Sequence, residues 1–154
     1  MITHKTGNIL EATENLICHQ VNCRGAMGAG LAKDIRYKYP KVYNNYRSLF
    51  TDPYIETSAF LGEVQYVAIE EHKYICNLFG QDYYGNSPFI TYTSYKALRR
   101  CLEKVKDVAL EHNYSIALPY KIGCGKANGS WVEVLNIIEE VFKDSDLTVN
   151  IYQL

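Results

Sequence analysis

The chain has 154 residues, with 16 basic and 17 acidic side chains and a formal net charge of −1. That length suits one domain spanning 1–154, able to bury about two-thirds of its unfolded surface. The balanced charge excludes the electrostatic footprint of a duplex-DNA or anionic-membrane binder. No stretch has the pattern of a signal peptide and no apolar run approaches membrane-span length, so a cytoplasmic protein with no membrane contact is expected. Five cysteines (Cys18, Cys23, Cys76, Cys101 and Cys124) are odd in number and lie mostly inside apolar runs. They read as free thiols of a reducing compartment.

In chain order, "NLICHQV" (15–21) is a short apolar run and predicts a buried strand. "GAGLAKDIRYKYP" (28–40) predicts a helix that ends before Pro40, and "KVYNNYRSLF" (41–50) a second short helix. "SAFLGEVQYVAIE" (58–70) and "KYICNLFGQ" (73–81) read as two strands, with the turn carried by Glu70, Glu71 and His72. "DYYGNSPF" (82–89) is the most loop-like stretch. From Tyr92 to His112 the apolar residues Tyr95, Leu98, Leu102, Val105 and Ala109 mark one face of a helix. "YSIALPY" (114–120) predicts a strand, "SWVEVLNIIEEVF" (130–142) a helix, and "LTVNIYQL" (147–154) a closing strand. No internal repeat or linker interrupts them. Strands separated by helices predict an α/β fold with a mostly parallel sheet covered on both faces, and ligands in such folds bind at the carboxyl ends of the strands.

Two loops fall there. "HQVNCRGAMGAG" (19–30) has three glycines and two alanines in its last six positions, and "PYKIGCGKANGSW" (119–131) joins a strand to the last helix through Gly123, Gly125 and Gly129. Backbone N–H groups in glycine-rich loops form anion-binding concavities. Ser130 and Glu133 have capping-box spacing, which would satisfy the donors of that helix from within and leave an anion to the loop. Taken singly, either loop is an ordinary strand-to-helix turn. Neither matches GxGxxG or GxxxxGK[ST] in register. His19 on an apolar strand usually reads as a core histidine bonded to a backbone group, and Cys124 as a small packed thiol with no histidine near it in sequence. Cys18, His19 and Cys23 lack a second cluster that would complete a zinc tetrahedron, so no metal or cofactor is expected.

Together the loops carry a resemblance. "TGNIL", "CHQVNCRGAMGAGLA", "LPYKIGCGKANGSW" and "VNIYQL" follow the order and spacing of the macrodomain family, the ADP-ribose-binding module, over about Lys5 to Leu154. Within it the chain looks most similar to the small stand-alone ADP-ribose-1″-phosphate phosphatases and terminal ADP-ribose protein hydrolases. The resemblance implies a three-layer α/β/α fold with a mixed, mostly parallel sheet. It implies ADP-ribose or a derivative, including an ADP-ribosylated macromolecule, as the partner; a monomer is the default expectation for one compact domain. It places Asn8 and Ile9 at the adenine end, with Asn8 where the family usually has an aspartate, and Tyr152 beside the adenosine. Asn22 would face the distal ribose. Gly25, Ala26, Met27, Gly28, Ala29 and Gly30 would wrap that ribose. Ile122, Gly123, Cys124, Gly125, Lys126, Ala127 and Asn128 would form the diphosphate loop.

The family's terminal ADP-ribose protein hydrolases use a lysine after the fourth strand and an aspartate in the diphosphate loop. Here "NLFGQDYYG" has no lysine and "GCGKANG" no aspartate, so a lysine-linked mechanism is not supported. His19 stands where the phosphatase branch has a catalytic histidine and is, with Asn22, the catalytic candidate. Asp34 and Asp82 are the carboxylates to examine as its partner. Three readings stay open: a hydrolase of ADP-ribose derivatives, a non-catalytic ADP-ribose reader, and a protein-contact module that has lost the nucleotide.

Overall fold

In the computed structural model, which describes Met1–Leu154, the chain runs β1 (Ile2–Thr6), a 3-10 turn (Ile9–Glu11), β2 (Leu16–Asn22), α1 (Gly30–Lys38) and α2 (Pro40–Ser48). A second 3-10 turn (Thr57–Phe60) leads to β3 (Val64–Glu70), β4 (Lys73–Gln81), α3 (Tyr95–His112), β5 (Ile116–Pro119), α4 (Trp131–Phe142) and β6 (Val149–Gln153). The strands form one sheet in the order β1-β6-β5-β2-β4-β3, parallel throughout except for the β3–β4 hairpin.

The central strands are apolar on both sides because both sheet faces are covered. Along β2, Leu16 and Cys18 enter a core shared with Leu98 and Leu102 of α3 and with Val134 and Ile138 of α4. Ile17 and Val21 enter the opposite core, with Ile35 of α1 and Val42 and Tyr46 of α2. This is the expected three-layer α/β/α arrangement. The covering helices start and stop for local reasons. Ser94 accepts a hydrogen bond from the Ala97 N–H and caps α3, and Asn113 closes it in the left-handed region at φ 56. No helix is long and apolar enough to cross a membrane.

Four local expectations need correction. The stretch 58–63 is not strand: its first part is a 3-10 turn, and a bend at Gly62 (φ 87) delays β3 to Val64. Glu70 stays within β3, so the hairpin turns on Glu71 and His72, the latter at φ 55. Helix α3 begins at Tyr95 rather than Tyr92, because the Tyr92 and Thr93 N–H groups both donate to Ala127 O. The capping box does not form: the Ser130 side chain makes no cap bond, and its own N–H goes to the Tyr95 hydroxyl at 2.9 Å.

Candidate functional site

The carboxyl ends of β2, β4 and β5 open into a cavity of about 510 Å3, within the roughly 300–1,000 Å3 usual for small-molecule sites. A second, more open recess lies beside it against Asn8, Ile9 and Tyr152, and the two share Gly30, Leu31, Pro119 and Tyr120. The two therefore adjoin along these common walls.

The first loop is built around Asn22. Its Oδ1 accepts from the Arg24 N–H at 2.9 Å and the Ala26 N–H at 3.3 Å, and its Nδ2 donates to Ala26 O at 2.8 Å. The fully buried Tyr46 hydroxyl donates to Asn22 O at 2.7 Å and lies 2.9 Å from its Oδ1. Gly25 turns at φ 80, where a Cβ would stand 2.5 Å from the Arg47 guanidinium. Arg24 reaches across to Asp82 at 2.9 Å and to Ser58 Oγ at 3.0 Å, and its guanidinium lies 3.8 Å from the centre of the Tyr83 ring. Loop and β4 exit are thereby tied together.

The second loop is pinned through Gly123, at φ 74, whose carbonyl accepts from Thr93 Oγ1 at 2.6 Å and from the Gly129 N–H at 2.9 Å. Asn128 Nδ2 donates to Ser87 O at 2.8 Å and Ile90 O at 2.7 Å, bracing the segment that follows β4. What the loop leaves unsatisfied faces the ligand space. The N–H groups of Gly125, Lys126 and Ala127 have no acceptor in the protein, and all three residues line the cavity. Across from them α1 starts without a side-chain cap, and Ala29, Gly30, Leu31 and Ala32 line the same space. The charged residues of the lining are Lys121 and Lys126; no carboxylate is among them. One set of free N–H donors, one helix start and two ammonium groups give the cavity the chemistry to hold an anion.

No protein-family model matches the chain. It is 29% identical over 156 residues to the Bos taurus ADP-ribose glycohydrolase OARD1, covering 99% of this chain and 91% of the relative. It is 27% identical over 180 residues to the Saccharomyces cerevisiae ADP-ribose 1″-phosphate phosphatase, covering 99% and 98%. Among solved structures, the macrodomain of Thermus aquaticus DarG superposes with a TM-score of 0.80 over 100% of this chain and 99% of its own, at 23% identity.

The chain has the macrodomain fold. Its loops do not all face the ligand as the sequence suggested. Ala26, Gly28, Ala29, Gly30, Ile122, Gly123, Gly125, Lys126 and Ala127 line the cavity, and Asn8, Ile9 and Tyr152 line the adjoining recess. Four expected contacts do not. Met27 is 1% exposed and packs into the α1/α2 core, and Gly25 is pressed against Arg47 and Phe50. Cys124 points its thiol at Ile122 O, and Asn128 spends its amide on the bracing bonds. Burial pushes the Cys124 thiol up, away from thiolate chemistry. Asn8 already caps the 3-10 turn by accepting from Leu10 N–H, which leaves the second lone pair of its Oδ1 free.

His19 and Asn22 both line the cavity, but not as a general acid or base with its partner. Asn22 Oδ1 is consumed inside the loop, so toward the ligand it offers one amide hydrogen. His19 is 1% exposed, and burial lowers its pKa to about 4, against a smaller opposing effect of its hydrogen bond to Asn77. At neutral pH it is uncharged and a weak base. Asp82 is held by Arg24 away from the cavity lining, and Asp34 sits on the outer recess. Sequence reasoning did not single out Gln20, Gln81, Tyr84, Gly85, Asn86 or Lys121; all six line the cavity. The alternation of β2 placed Gln20 opposite His19, but nothing local announced that the segment after β4 folds over the opening.

Proposed function

We propose that this chain is a macrodomain in function as well as fold, binding ADP-ribose along the two adjoining cavities and hydrolysing an ADP-ribose derivative. The observation that carries this is the set of unpartnered N–H groups of Gly125, Lys126 and Ala127 facing the uncapped start of α1. A diphosphate fits between them, its charge met by Lys121 and Lys126 with no lining carboxylate to oppose it. The recess at Asn8, Ile9 and Tyr152 then takes adenosine, and the end at His19 and Asn22 takes the distal ribose. Glycohydrolase and phosphatase names among relatives aligned end to end favour turnover. In either reaction water supplies the nucleophile, the bond from the distal ribose to its substituent (or from phosphorus to the 1″-oxygen) breaks, and the leaving group carries off the proton.

One observation favours a second reading, a reader without turnover: the lining holds no Asp or Glu, and its one histidine is neutral. Calorimetric titration with ADP-ribose, with AMP as control, tests the shared part. Micromolar binding that requires the distal half supports it, and absence of heat with both ligands refutes it. Release of phosphate or of ADP-ribose from labelled substrates at a rate above the buffer blank separates hydrolase from reader.

A further inference from the structure

His19 is one end of a hydrogen-bond chain that crosses the sheet. On the face packed by α1 and α2, His19 of β2 stands in register with Asn77 of β4, and Asn77 with Gln65 of β3. The chain must be read from its far end. Asn45 O is a backbone carbonyl and can only accept, so the Gln65 group 3.1 Å from it is Nε2. Gln65 Oε1 is therefore turned toward Asn77, where at 2.9 Å it accepts from Nδ2. Asn77 Oδ1 is then the atom 2.5 Å from His19 Nε2, and an amide oxygen can only accept. His19 must carry its proton on Nε2. In the neutral ring, Nδ1 is left as a bare lone pair, buried and without any partner.

The next residue repeats the pattern on the other face. Thr93 Oγ1 donates to Gly123 O, and Gln81 Nε2 donates to Tyr83 O, both backbone carbonyls. Both side chains are thereby forced to accept from Gln20 Nε2, each at 2.9 Å, and Gln20 Oε1 is left buried and unpartnered. His19 and Gln20 line the same cavity. A buried acceptor without a donor is costly, and two at the end of one strand call for donors supplied from outside the protein.

We propose that the β2 end of the cavity is an acceptor floor that takes a sugar hydroxyl or a water and rejects a terminal phosphate, which makes unphosphorylated ADP-ribose and its adducts, rather than ADP-ribose-1″-phosphate, the ligands of this site. This rests on the functional reading above and narrows it. A phosphate at neutral pH brings acceptor oxygens and negative charge. Against the Nδ1 lone pair it forms no hydrogen bond and meets repulsion. The cations and free N–H groups that welcome the diphosphate belong to the other loop, at Lys121 and Gly125 to Ala127. A hydroxyl or water donates to Nδ1 and removes the orphan.

Two measurements on the full unmodified chain test this. Nitrogen-15 shifts of the His19 ring at pH 7 should be pyrrole-like for Nε2 and pyridine-like for Nδ1. The opposite pattern, or a charged ring, overturns the proposal. Calorimetric titration should show ADP-ribose-1″-phosphate binding about 10- to 100-fold more weakly than ADP-ribose, the scale of one unmet buried hydrogen bond. Equal or tighter binding of the 1″-phosphate overturns the acceptor floor while leaving the ADP-ribose reading intact. Binding of neither ligand overturns both. Asn77→Asp should pull a second proton onto the ring, turn Nδ1 into a donor and narrow the preference, with both ring nitrogens then pyrrole-like.

Discussion

Gly125→Val separates what the fold needs from what the ligand needs. A Cβ at Gly125 meets no atom within 4 Å, and its φ lies outside the left-handed region, so the protein itself has no use for a glycine there. Replacing glycine at such a site stabilises by about 0.4–1 kcal/mol through the unfolded chain. Gly125 lines the cavity beside the free N–H groups of Lys126 and Ala127, and the added side chain takes up open space there. Losing one hydrogen bond to a charged phosphate costs about 1.5–3 kcal/mol, or roughly 10- to 150-fold in Kd. Gly123→Ala is the contrasting control. There φ is +74 and a Cβ would stand 2.9 Å from Gln20 Oε1 and 3.1 Å from Thr93 Oγ1. The left-handed conformation alone costs about 1–2 kcal/mol, a fall of roughly 2–8 °C in Tm at this size. Thermal melts and ADP-ribose titrations of both variants decide the matter. A Gly125→Val protein that melts like wild type and binds ADP-ribose equally well would refute the anion-loop argument.

Three further predictions concern the frame around that loop. His19 has a folded pKa lowered to about 4 from 6.5, so the unfolded chain takes up the proton first as pH falls; its contribution is complete above pH 6.5 and lost toward pH 4, amounting to about 3 kcal/mol. Urea melts at pH 7 and 4.5 should show a smaller acid loss for His19→Gln than for wild type, and parallel losses would remove His19 as the cause. Tyr46→Phe deletes the buried hydroxyl that holds Asn22 and should cost about 1–2 kcal/mol by denaturant melt, with weakened ADP-ribose binding; unchanged stability would mean the loop stands without it. Asn128→Gly keeps the left-handed backbone at φ 61 and removes both bracing bonds, so amide exchange across Ser87–Tyr92 should accelerate while α4 stays protected. Equal exchange rates in the two proteins would show that other contacts hold the segment.

Periodicity carried most of the fold. Helix α3 was legible because Leu98, Leu102, Val105 and Ala109 all enter one core, and β2 because a short, largely apolar run suits a strand covered on both faces. Strand β1 escaped notice because it is an edge strand whose residues after Ile2 are exposed, which leaves "ITHKT" no apolar pattern to show. In the site, loop composition located the backbone but not the direction of each residue. Met27 lies between loop glycines yet drops into the core, and the Ser130–Glu133 spacing met the rule for a cap that does not form. The acceptor state of His19 was beyond any local reading. It depends on Asn77, Gln65 and Asn45, which lie between 26 and 58 positions away and meet it only through strand pairing and the packing of α2 on the sheet.

The segment after β4 is fastened at both ends, to Arg24 through Asp82 and Tyr83, and to the second loop through Asn128 and Ala127 O. A lip held this way has little freedom left to surrender when a ligand arrives. Association then waits on diffusion into an already shaped cavity rather than on closure of a cover, and affinity differences among related ligands should appear chiefly in how fast they leave.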